Sequence, residues 1–208
     1  MLNFFYDIKA IYRNDPALKK SNILEILIYP GIHAIFWHRL SHFLWKLKIP
    51  FLPRLISEIT KFFTGIEIHP GARIKKGFFI DHGSGVVIGE TAEIGENVLM
   101  YHQTTLGGTS LDKGRKRHPT IGDNVMIGAG AKLFGCIKVG DNSQIGGGAV
   151  VVKDVPPNSV VVGNPGKVVK IKGKKVIDKV DTVNLPDPVQ RAIDGLEEKI
   201  SDLERRLS

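Results

Sequence analysis

Aliphatic side chains recur at every sixth position through the middle of the chain. Glycine follows many of these positions, and Ala or Ser often stands two positions before them. Such a period is typical of a left-handed parallel β-helix, in which three short strands form one triangular coil and the aliphatic side chains point inward. The thirteen aliphatic positions are Ile68, Ile74, Ile80, Ile88, Ile94, Met100, Leu106, Ile121, Ile127, Leu133, Val139, Ile145 and Val151.

The six-residue period is interrupted twice. Two extra residues stand in the interval 81–87 and nine extra residues in the interval 107–120. Insertions into a solenoid leave the coil as loops, and those loops often form its binding face. Each interval contains a histidine, His82 in the first and His118 in the second. We therefore expect the functional residues at these two interruptions.

The remainder of the chain follows other patterns. Residues 1–64 show no six-residue period and predict a helical domain, with one helix over residues 4–13 and a last helix over residues 53–63, ended by Gly65. The segment from residue 22 to about residue 47 predicts one helical stretch that is kinked at Pro30 and Gly31. The predicted fold is α+β: a helical domain over 1–64, a left-handed β-helix over 65–170, a linker over 171–186 and a C-terminal segment over 187–208.

The C-terminal segment 187–208 carries a short heptad pattern. Its aliphatic residues are spaced alternately by four and three positions, which predicts a coiled-coil-like oligomerisation helix. These residues are Val189, Ile193, Leu196, Ile200, Leu203 and Leu207.

Composition limits which partners and which cellular compartment fit this chain. The chain has 208 residues, 42% hydrophobic content and a net charge of +8, which favours anionic partners. Its basic runs lack interleaved aromatic residues, so nucleic acid is not an expected partner. No signal peptide or membrane-spanning segment is readable, and the lone Cys136 fits a reducing compartment. These features predict a cytoplasmic protein that does not bind membranes.

The histidines and the cysteine differ in what they offer chemically. His82 follows Asp81 where the chain leaves the coil, and histidine can accept and return a proton near neutral pH. An ordinary turn histidine is the alternative there. His38 and His42 have a spacing that could hold a metal, but no neighbouring carboxylate or cysteine supports this, so no metal is expected. Cys136 has no base near it in sequence and is not expected to act as a nucleophile.

Five short segments stand out in order along the chain. They are Gly-Ile-Glu-Ile-His-Pro-Gly at 65–71, Ile-Asp-His-Gly-Ser-Gly-Val-Val-Ile-Gly-Glu-Thr at 80–91, Leu-Gly-Gly-Thr at 106–109, Arg-His-Pro at 117–119 and Val-Gly-Asn-Pro-Gly at 162–166. Together they closely resemble the serine O-acetyltransferases, and the resemblance covers residues 14–170, including Asp-Pro-Ala at 15–17. The Asp-His to Gly-Glu-Thr block is specific to that family among hexapeptide acyltransferases, whereas Gly-Asn-Pro-Gly recurs across many of them.

The resemblance implies transfer of an acetyl group from acetyl-CoA to the hydroxyl of L-serine, the step that opens cysteine biosynthesis. In this interpretation His82 is the general base, and transfer is direct, with no acyl-enzyme. Glu67 stands where the family usually has the carboxylate, often Asp, that orients this histidine. Acetyl-CoA is then a co-substrate, and no permanently bound cofactor is expected.

The resemblance also assigns the groups that bind the substrates. Asp15 and Asp81 correspond to the residues that bind the serine ammonium. Arg117 corresponds to the group that binds the serine carboxylate, to which a planar guanidinium is suited, and His118 helps to position the substrate. For acetyl-CoA the implied residues are Gly108, Ala129, Gly130, Lys153 and Lys170.

The resemblance also implies an assembly, and two other functions stay open. The family trimerises around the β-helix, so a homotrimer is expected. Many members bind O-acetylserine sulfhydrylase through a C-terminal Ile, but this chain ends in Ser208, which predicts no tight complex of that kind. The alternatives are another hexapeptide acetyltransferase acting on a sugar or antibiotic hydroxyl, and a non-catalytic trimeric scaffold.

Overall fold

The N-terminal part of the computed structural model is helical. The structure describes residues 2–15, 18, 23–111 and 114–175, and these belong to a compact unit, Met1–Val176. The helices are α1 (Leu2–Asn14), a 3-10 helix (Ile23–Ile28), α2 (Pro30–Lys46) and α3 (Leu52–Thr64). None of the helices in these residues is long and apolar enough to cross a membrane. The predicted C-terminal helix over 187–208 lies outside the described residues.

The prediction of one kinked helical stretch from residue 22 to about residue 47 is wrong. The structure instead contains a 3-10 helix and a separate α2 that begins at Pro30. Tyr29 between them is extended, with φ −69° and ψ 118°. A proline disfavours helical backbone at the residue before it, so Pro30 ends one element and begins the next.

The middle of the chain forms a parallel coil of very short strands in three sheets. The first sheet has the order β1-β4-β7-β10-β13, the second β2-β5-β8-β11, and the third β3-β6-β9-β12-β14-β15-β16. The strands are β1 (Glu67–Ile68), β2 (Arg73–Ile74), β3 (Phe79–Ile80), β4 (Val87–Ile88), β5 (Glu93–Ile94), β6 (Leu99–Met100), β7 (Thr105–Gly107), β8 (Thr120–Ile121), β9 (Met126–Ile127), β10 (Lys132–Phe134), β11 (Lys138–Val139), β12 (Gln144–Ile145), β13 (Val150–Val151), β14 (Ser159–Val162), β15 (Lys167–Ile171) and β16 (Lys174–Lys175).

Each of the thirteen predicted aliphatic positions lies in a strand of this coil, β1 to β13. Twelve of them are buried, and Ile74 is half-buried against the same core. Equivalent positions pair across successive coils, as Ile68 does with Ile88 and Ile88 with Leu106. The six-residue period therefore sets both the inward face and the register of the sheets.

The two interruptions lie at different corners of the coil. The interval 81–86 joins β3 in the third sheet to β4 in the first sheet. The interval 108–119 joins β7 in the first sheet to β8 in the second sheet. We call the edge formed by turns 81–86, 101–104, 128–131 and 146–149 the first corner. The second corner comprises turns 69–72, 89–92, 108–119, 135–137 and 152–154.

Helices α2 and α3 close the end of the coil at which it begins. Each coil donates backbone N–H groups to the carbonyls of the following coil, as Glu67 does to Val86. Because no coil precedes the first one, the carbonyls of its strands receive no such bond. Side chains from the helices bond to these carbonyls, which satisfies groups that would otherwise be orphaned. The pairs are Arg39 with Ile74 and Lys75, His42 with Pro70, Ser57 with Ile68, and His38 with Ala72.

Helix α1 is attached to the same end by one buried carboxylate. Asp7 accepts backbone N–H groups from Gly77 and Phe78 and forms an ion pair with Arg39 at 2.7 Å. Burial raises the pKa of Asp7 to about 6, against the lowering effect of Arg39. At the other end of the coil, β14, β15 and β16 pair antiparallel and complete the third sheet.

Candidate active site

The backbone at the first corner lifts His82 out of the coil. Asp81 still donates its N–H to Met100, so the ladder continues to that residue. His82 then adopts a left-handed conformation with φ +60°, and Gly83 follows with φ +79°. A Cβ on Gly83 would lie 2.4 Å from the side chain of Ile66, so only glycine fits there. The His82 side chain is 73% exposed as a result.

The neighbours of His82 are an acid and a second histidine. Its Nε2 lies 3.9 Å from Asp81 Oδ1. Its ring meets the ring of His102 edge to face, with centroids 5.8 Å apart. His102 Nδ1 is buried and has no hydrogen-bond partner among the residues that the structure describes. Sequence reasoning missed His102, although it stands twenty residues after His82, which is one 18-residue coil plus the two inserted residues.

Glu67 lies on β1, at the edge of the first sheet that adjoins the first corner. It pairs in register with Val87, which directly follows the inserted turn 81–86. Its carboxylate accepts a hydrogen bond from Lys61 Nζ on α3 at 2.5 Å. Glu67 thus belongs to the same corner as His82, and the predicted role in orienting that histidine stays a prediction.

The helical domain contributes Asp15 to this region. The Tyr29 hydroxyl donates a hydrogen bond to Asp15 Oδ2. This bond, together with burial and the charges of Asp15, Glu25 and Asp81, raises the pKa of Tyr29 to about 12. Asp15 and Asp81 both help to raise the pKa of the Tyr29 phenol, so the two predicted ammonium ligands lie near the same side chain.

Arg117 and His118 lie at the second corner. Arg117 pairs with Glu90 at 2.6 Å. The backbone N–H groups of Arg117 and His118 both donate to Thr91 Oγ1. His118 is buried, and its Nδ1 accepts the Thr91 N–H at 3.2 Å. Burial, and secondly Arg117, lowers the pKa of His118, which favours the neutral ring. With Nδ1 as acceptor, Nε2 carries the proton of that neutral ring.

Packing fixes the ring of His118 at this corner. A Cβ on Gly89 would lie 2.1 Å from His118 Nε2, and one on Gly108 would lie 3.2 Å from the same atom. The absence of a side chain at these two glycines gives the ring its space. A single chain therefore gathers Asp15, Glu67, Asp81 and His82 at the first corner, and Arg117 with His118 across the first sheet at the second corner.

The residues predicted to bind acetyl-CoA divide between the same two corners. Ala129 and Gly130 lie at the first corner directly beyond His102, since Gly130 donates its N–H to the His102 carbonyl at 2.9 Å. Gly148 donates its N–H in turn to the Ala129 carbonyl, and a Cβ on Gly148 would meet nothing within 4 Å. Turns 128–130 and 146–148 thus form a column of small residues that continues from His82 along the coil.

The remaining predicted acetyl-CoA residues lie elsewhere on the coil. Gly108 and Lys153 follow β7 and β13 and belong to the second corner. Lys170 lies on β15 in the third sheet and pairs with Val160 and Lys175.

The other candidates for chemistry lie in structural surroundings. Burial lowers the pKa of His38 to about 3, and His42 is bonded to the Pro70 carbonyl. Cys136 is exposed in the second corner, near Lys116, whose pKa is lowered chiefly by burial. Within the described part of the chain, no three His, Cys, Asp or Glu residues are grouped so as to hold a metal ion.

Comparison with known proteins identifies the family. A model of the bacterial transferase hexapeptide (six repeats) matches residues 118–153. Serine acetyltransferase from Bacillus subtilis is 54% identical over 201 residues, covering 97% of this chain and 92% of that protein, and the Synechococcus elongatus enzyme of the same name is 48% identical over 202 residues, covering 97% and 81%.

Solved structures agree with these sequence relatives. Neisseria gonorrhoeae serine acetyltransferase in complex with serine superposes with a TM-score of 0.75 at 44% identity, covering 80% of this chain and 67% of that one. Serine acetyltransferase from Brucella abortus in complex with coenzyme A gives a TM-score of 0.78 at 41% identity, covering 82% and 67%. The chain belongs to the serine acetyltransferase family of hexapeptide-repeat transferases.

Proposed function

We propose that the protein transfers the acetyl group of acetyl-CoA to the hydroxyl of L-serine, giving O-acetyl-L-serine and CoA, in the cytoplasm as the first step of cysteine biosynthesis. The observation that carries this proposal is the placement of His82: an exposed imidazole on a left-handed turn, beside Asp81 and at the start of the small-residue column. The solved relatives with serine and with coenzyme A are consistent with both substrates.

The reaction needs one base and no covalent enzyme intermediate. His82 accepts the proton of the serine hydroxyl as the hydroxyl oxygen attacks the thioester carbonyl carbon. The tetrahedral intermediate then collapses, the carbon–sulfur bond breaks, and the leaving sulfur takes the proton back from the imidazolium. A general base of this kind contributes roughly 10²–10⁴-fold in rate. The exposed His82 ring is free to reach a bound hydroxyl.

Glu67 and the two aspartates complete the first-corner half of the site. In the proposed mechanism Glu67 orients His82 and stabilises the imidazolium. Its side chain, one methylene longer than the Asp that the family often has here, reaches from β1 across the edge of the first sheet. Asp15 and Asp81 bind the serine ammonium, and both carboxylates lie near Tyr29. Opposite charges within a few ångströms favour such binding strongly in a partly buried site.

The second-corner half of the site comes from a neighbouring copy. Arg117 and His118 lie across the first sheet from His82, so one chain cannot direct all of these groups to one small zwitterion. We therefore propose a homotrimer of left-handed β-helices, in which the first corner of one copy faces the second corner of the next. Arg117 then binds the serine carboxylate, for which it would exchange its bond to Glu90, and His118 Nε2 donates to the substrate.

The same arrangement supplies the acetyl-CoA path. The small side chains of this column, including Ala129 and Gly130, allow a pantetheine chain to approach without steric hindrance. Gly108 and Lys153 come to this groove from the second corner of the neighbour. Lys170 and the adjacent basic residues of β15 and β16 are assigned to the CoA phosphates on the ground of their charge.

The domain boundaries proposed from the sequence are retained here. They are a helical domain over 1–64, the catalytic coil over 65–170, a linker over 171–186 and an oligomerisation helix over 187–208.

One assay tests the proposed function. Thiol release from acetyl-CoA is followed with L-serine as acceptor, and separately with sugar and aminoglycoside acceptors. We expect release with L-serine at a rate far above those of the other acceptors. Faster release with a sugar or antibiotic would favour the other acetyltransferases of this fold, and no release with any acceptor would favour a scaffold.

A further inference from the structure

One hydroxyl group joins the long loop 108–119 to the coil. Thr91 lies in the turn that follows β4, and the long loop follows β7. The Oγ1 atom of Thr91 accepts the backbone N–H of Arg117 at 3.0 Å and that of His118 at 3.1 Å. The same oxygen lies 2.9 Å from His118 Nδ1. Three contacts from two consecutive residues of the loop therefore meet at one side-chain oxygen.

The direction of the third contact follows from the proton positions around His118. The backbone N–H of Thr91 donates to His118 Nδ1 at 3.2 Å, so this nitrogen carries no proton. The Thr91 hydroxyl must then donate to it, since an unprotonated imidazole nitrogen can only accept. A threonine hydroxyl has one proton and two acceptor lone pairs. Arg117 and His118 use all three, so the whole hydrogen-bonding capacity of this hydroxyl is directed to these two residues.

Packing alone does not orient the ring of His118. Gly89 and Gly108 leave space for the ring, because a Cβ on either would lie 2.1 Å or 3.2 Å from Nε2. A ring turned by 180° would occupy almost the same space, since ring nitrogen and carbon atoms are similar in size. The two donors of Thr91 distinguish these orientations. They select the one in which Nδ1 accepts and Nε2 carries the proton.

The side chain of Arg117 and its backbone are held by different groups. The guanidinium pairs with Glu90 at 2.6 Å, and in the proposed function it exchanges this bond for the serine carboxylate. The bond to the Thr91 hydroxyl involves the backbone N–H instead, so it can persist through that exchange. Lys116, the preceding residue, donates from Nζ to the Thr91 carbonyl at 2.5 Å. Three consecutive residues of the long loop are thus bonded to Thr91.

We propose that Thr91 is a positioning residue for serine: its hydroxyl holds the backbone of Arg117 and the ring of His118 while the Arg117 guanidinium exchanges Glu90 for the serine carboxylate. Thr91 acts through these two residues and does not touch the reacting atoms. The inference rests on the proposed function, because it assigns a role within the serine site.

Replacement of Thr91 by Val tests the inference. Thr91→Val keeps nearly the same shape, removes the hydroxyl and leaves two backbone N–H groups without their acceptor. We expect the KM for L-serine to rise about tenfold, which is within the range for lost hydrogen bonds, and the KM for acetyl-CoA to stay within about twofold of the wild type. Thr91→Ser restores the hydroxyl, so its KM for serine should lie within about threefold of the wild type.

Thr120→Val is the matched control. Thr120 lies on β8 directly after the long loop and is half-buried. Within the part of the chain that the structure describes, its hydroxyl makes no hydrogen bond to another residue. The same replacement at this position should therefore leave the KM for serine unchanged.

A double variant separates positioning from general support of the fold. If Thr91 acts through Arg117, Thr91→Val should lower kcat/KM for serine by a smaller factor in an Arg117→Ala background than in the wild type. A variant that only weakened the fold would lower kcat/KM by the same factor in both backgrounds. Steady-state kinetics of the four proteins measure this difference.

The outcomes distinguish the inference from the proposed function. If the wild type acetylates serine and Thr91→Val leaves the KM for serine unchanged, or raises both KM values together, the inference is overturned and the proposed function stands. Equal factors in the two backgrounds also overturn it. So does a Thr91→Ser protein as defective as Thr91→Val, because the methyl group would then matter and not the hydroxyl. A wild type that does not acetylate serine refutes the proposed function and this inference with it.

Discussion

The α-carbon of Gly31 lies against the carbonyl oxygen of Ile80, with no room for a side chain between them. Gly31→Ala places a methyl group 2.3 Å from that oxygen, so α2 must move away from the coil. We expect a loss of about 1–3 kcal/mol in the free energy of unfolding and a higher KM for serine. Urea denaturation and steady-state kinetics measure the two effects.

A matched control separates the clash from the methyl group itself. Gly173→Ala adds the same methyl group where nothing lies within 4 Å, although its φ of +74° costs about 1 kcal/mol. The KM for serine should be unchanged in that control. Ile80 directly precedes Asp81, one of the proposed serine ligands. Equal KM values for serine in the two variants would show that the contact between Gly31 and Ile80 does not affect the serine site.

His82→Ala should lower kcat by a factor of about 10²–10⁴, because the reaction loses its base. Acetyl-CoA binding, measured by calorimetry, should be retained. His33→Ala is the control, since His33 is an exposed histidine on α2 whose ring bonds to the Leu27 carbonyl. A His82→Ala enzyme with more than a tenth of wild-type activity would rule out the general-base role.

Glu67 has two possible functions that a pair of variants can separate. Glu67→Gln keeps the shape and removes the charge, and we expect kcat to fall while the KM values change little. Lys61→Met removes the observed partner of Glu67 and should leave kcat near the wild-type value. If the two variants have the same kcat, Glu67 serves the ion pair with Lys61 and some other group orients His82.

The two-corner arrangement predicts complementation between inactive variants. His82→Ala and Arg117→Ala each damage a different corner, so mixed trimers contain some sites with both wild-type corners. Random assembly at equal amounts restores about a quarter of the sites, as follows from a cyclic trimer with one site at each interface. Refolding the variants together and assaying thiol release measures this. Mixtures no more active than the separate variants would show that each site lies within one chain.

Because some histidines are buried, we expect the folded protein to lose stability at acidic pH. The pKa of His38 is about 3 in the folded protein, because burial disfavours the charged ring, and about 6.5 in an unfolded chain. The unfolded chain therefore binds the extra proton between these values, and stability present above pH 6.5 is lost as the pH falls. From pH 7 to pH 5 the expected loss is about 2 kcal/mol from this group.

Comparison with a neutral side chain isolates the contribution of His38. His38→Gln should weaken the dependence of the urea midpoint on pH between 5 and 7. His69, whose pKa is lowered to about 4 mainly by burial, adds in the same direction in both proteins. Identical pH dependences in wild type and variant would contradict the assignment to His38.

The parallel coil could be predicted from the sequence because its six-residue pattern is repeated. Each aliphatic position is an inward side chain on a strand of two or three residues. The thirteen weak signals therefore reinforce one another. The same period also determines which sheet each strand joins. The different corners of 81–86 and 108–119 could therefore have been found by counting strands in threes.

The contacts of α2 could not be found in this way. The hydrogen bond between Tyr29 and Asp15 and the contact between Gly31 and Ile80 join residues far apart in sequence, and neither belongs to a repeat. The signal of His102 was present in the 20-residue offset from His82, but no motif marks it. Tertiary packing at the junction of two architectures is specific to this chain, and local patterns do not encode it.

The side chains that bond to the carbonyls of the first coil have a consequence for how the molecule behaves in a concentrated solution. A parallel solenoid with bare ends is a template on which another solenoid can add, coil upon coil, as strands do at the edge of an open sheet. Arg39, His42 and Ser57 occupy the acceptors that such an addition would use. At the opposite end the antiparallel pairing of β14 with β15 reverses the strand direction, which a parallel coil cannot continue. The protein can therefore use a fibre-forming architecture and remain a discrete particle.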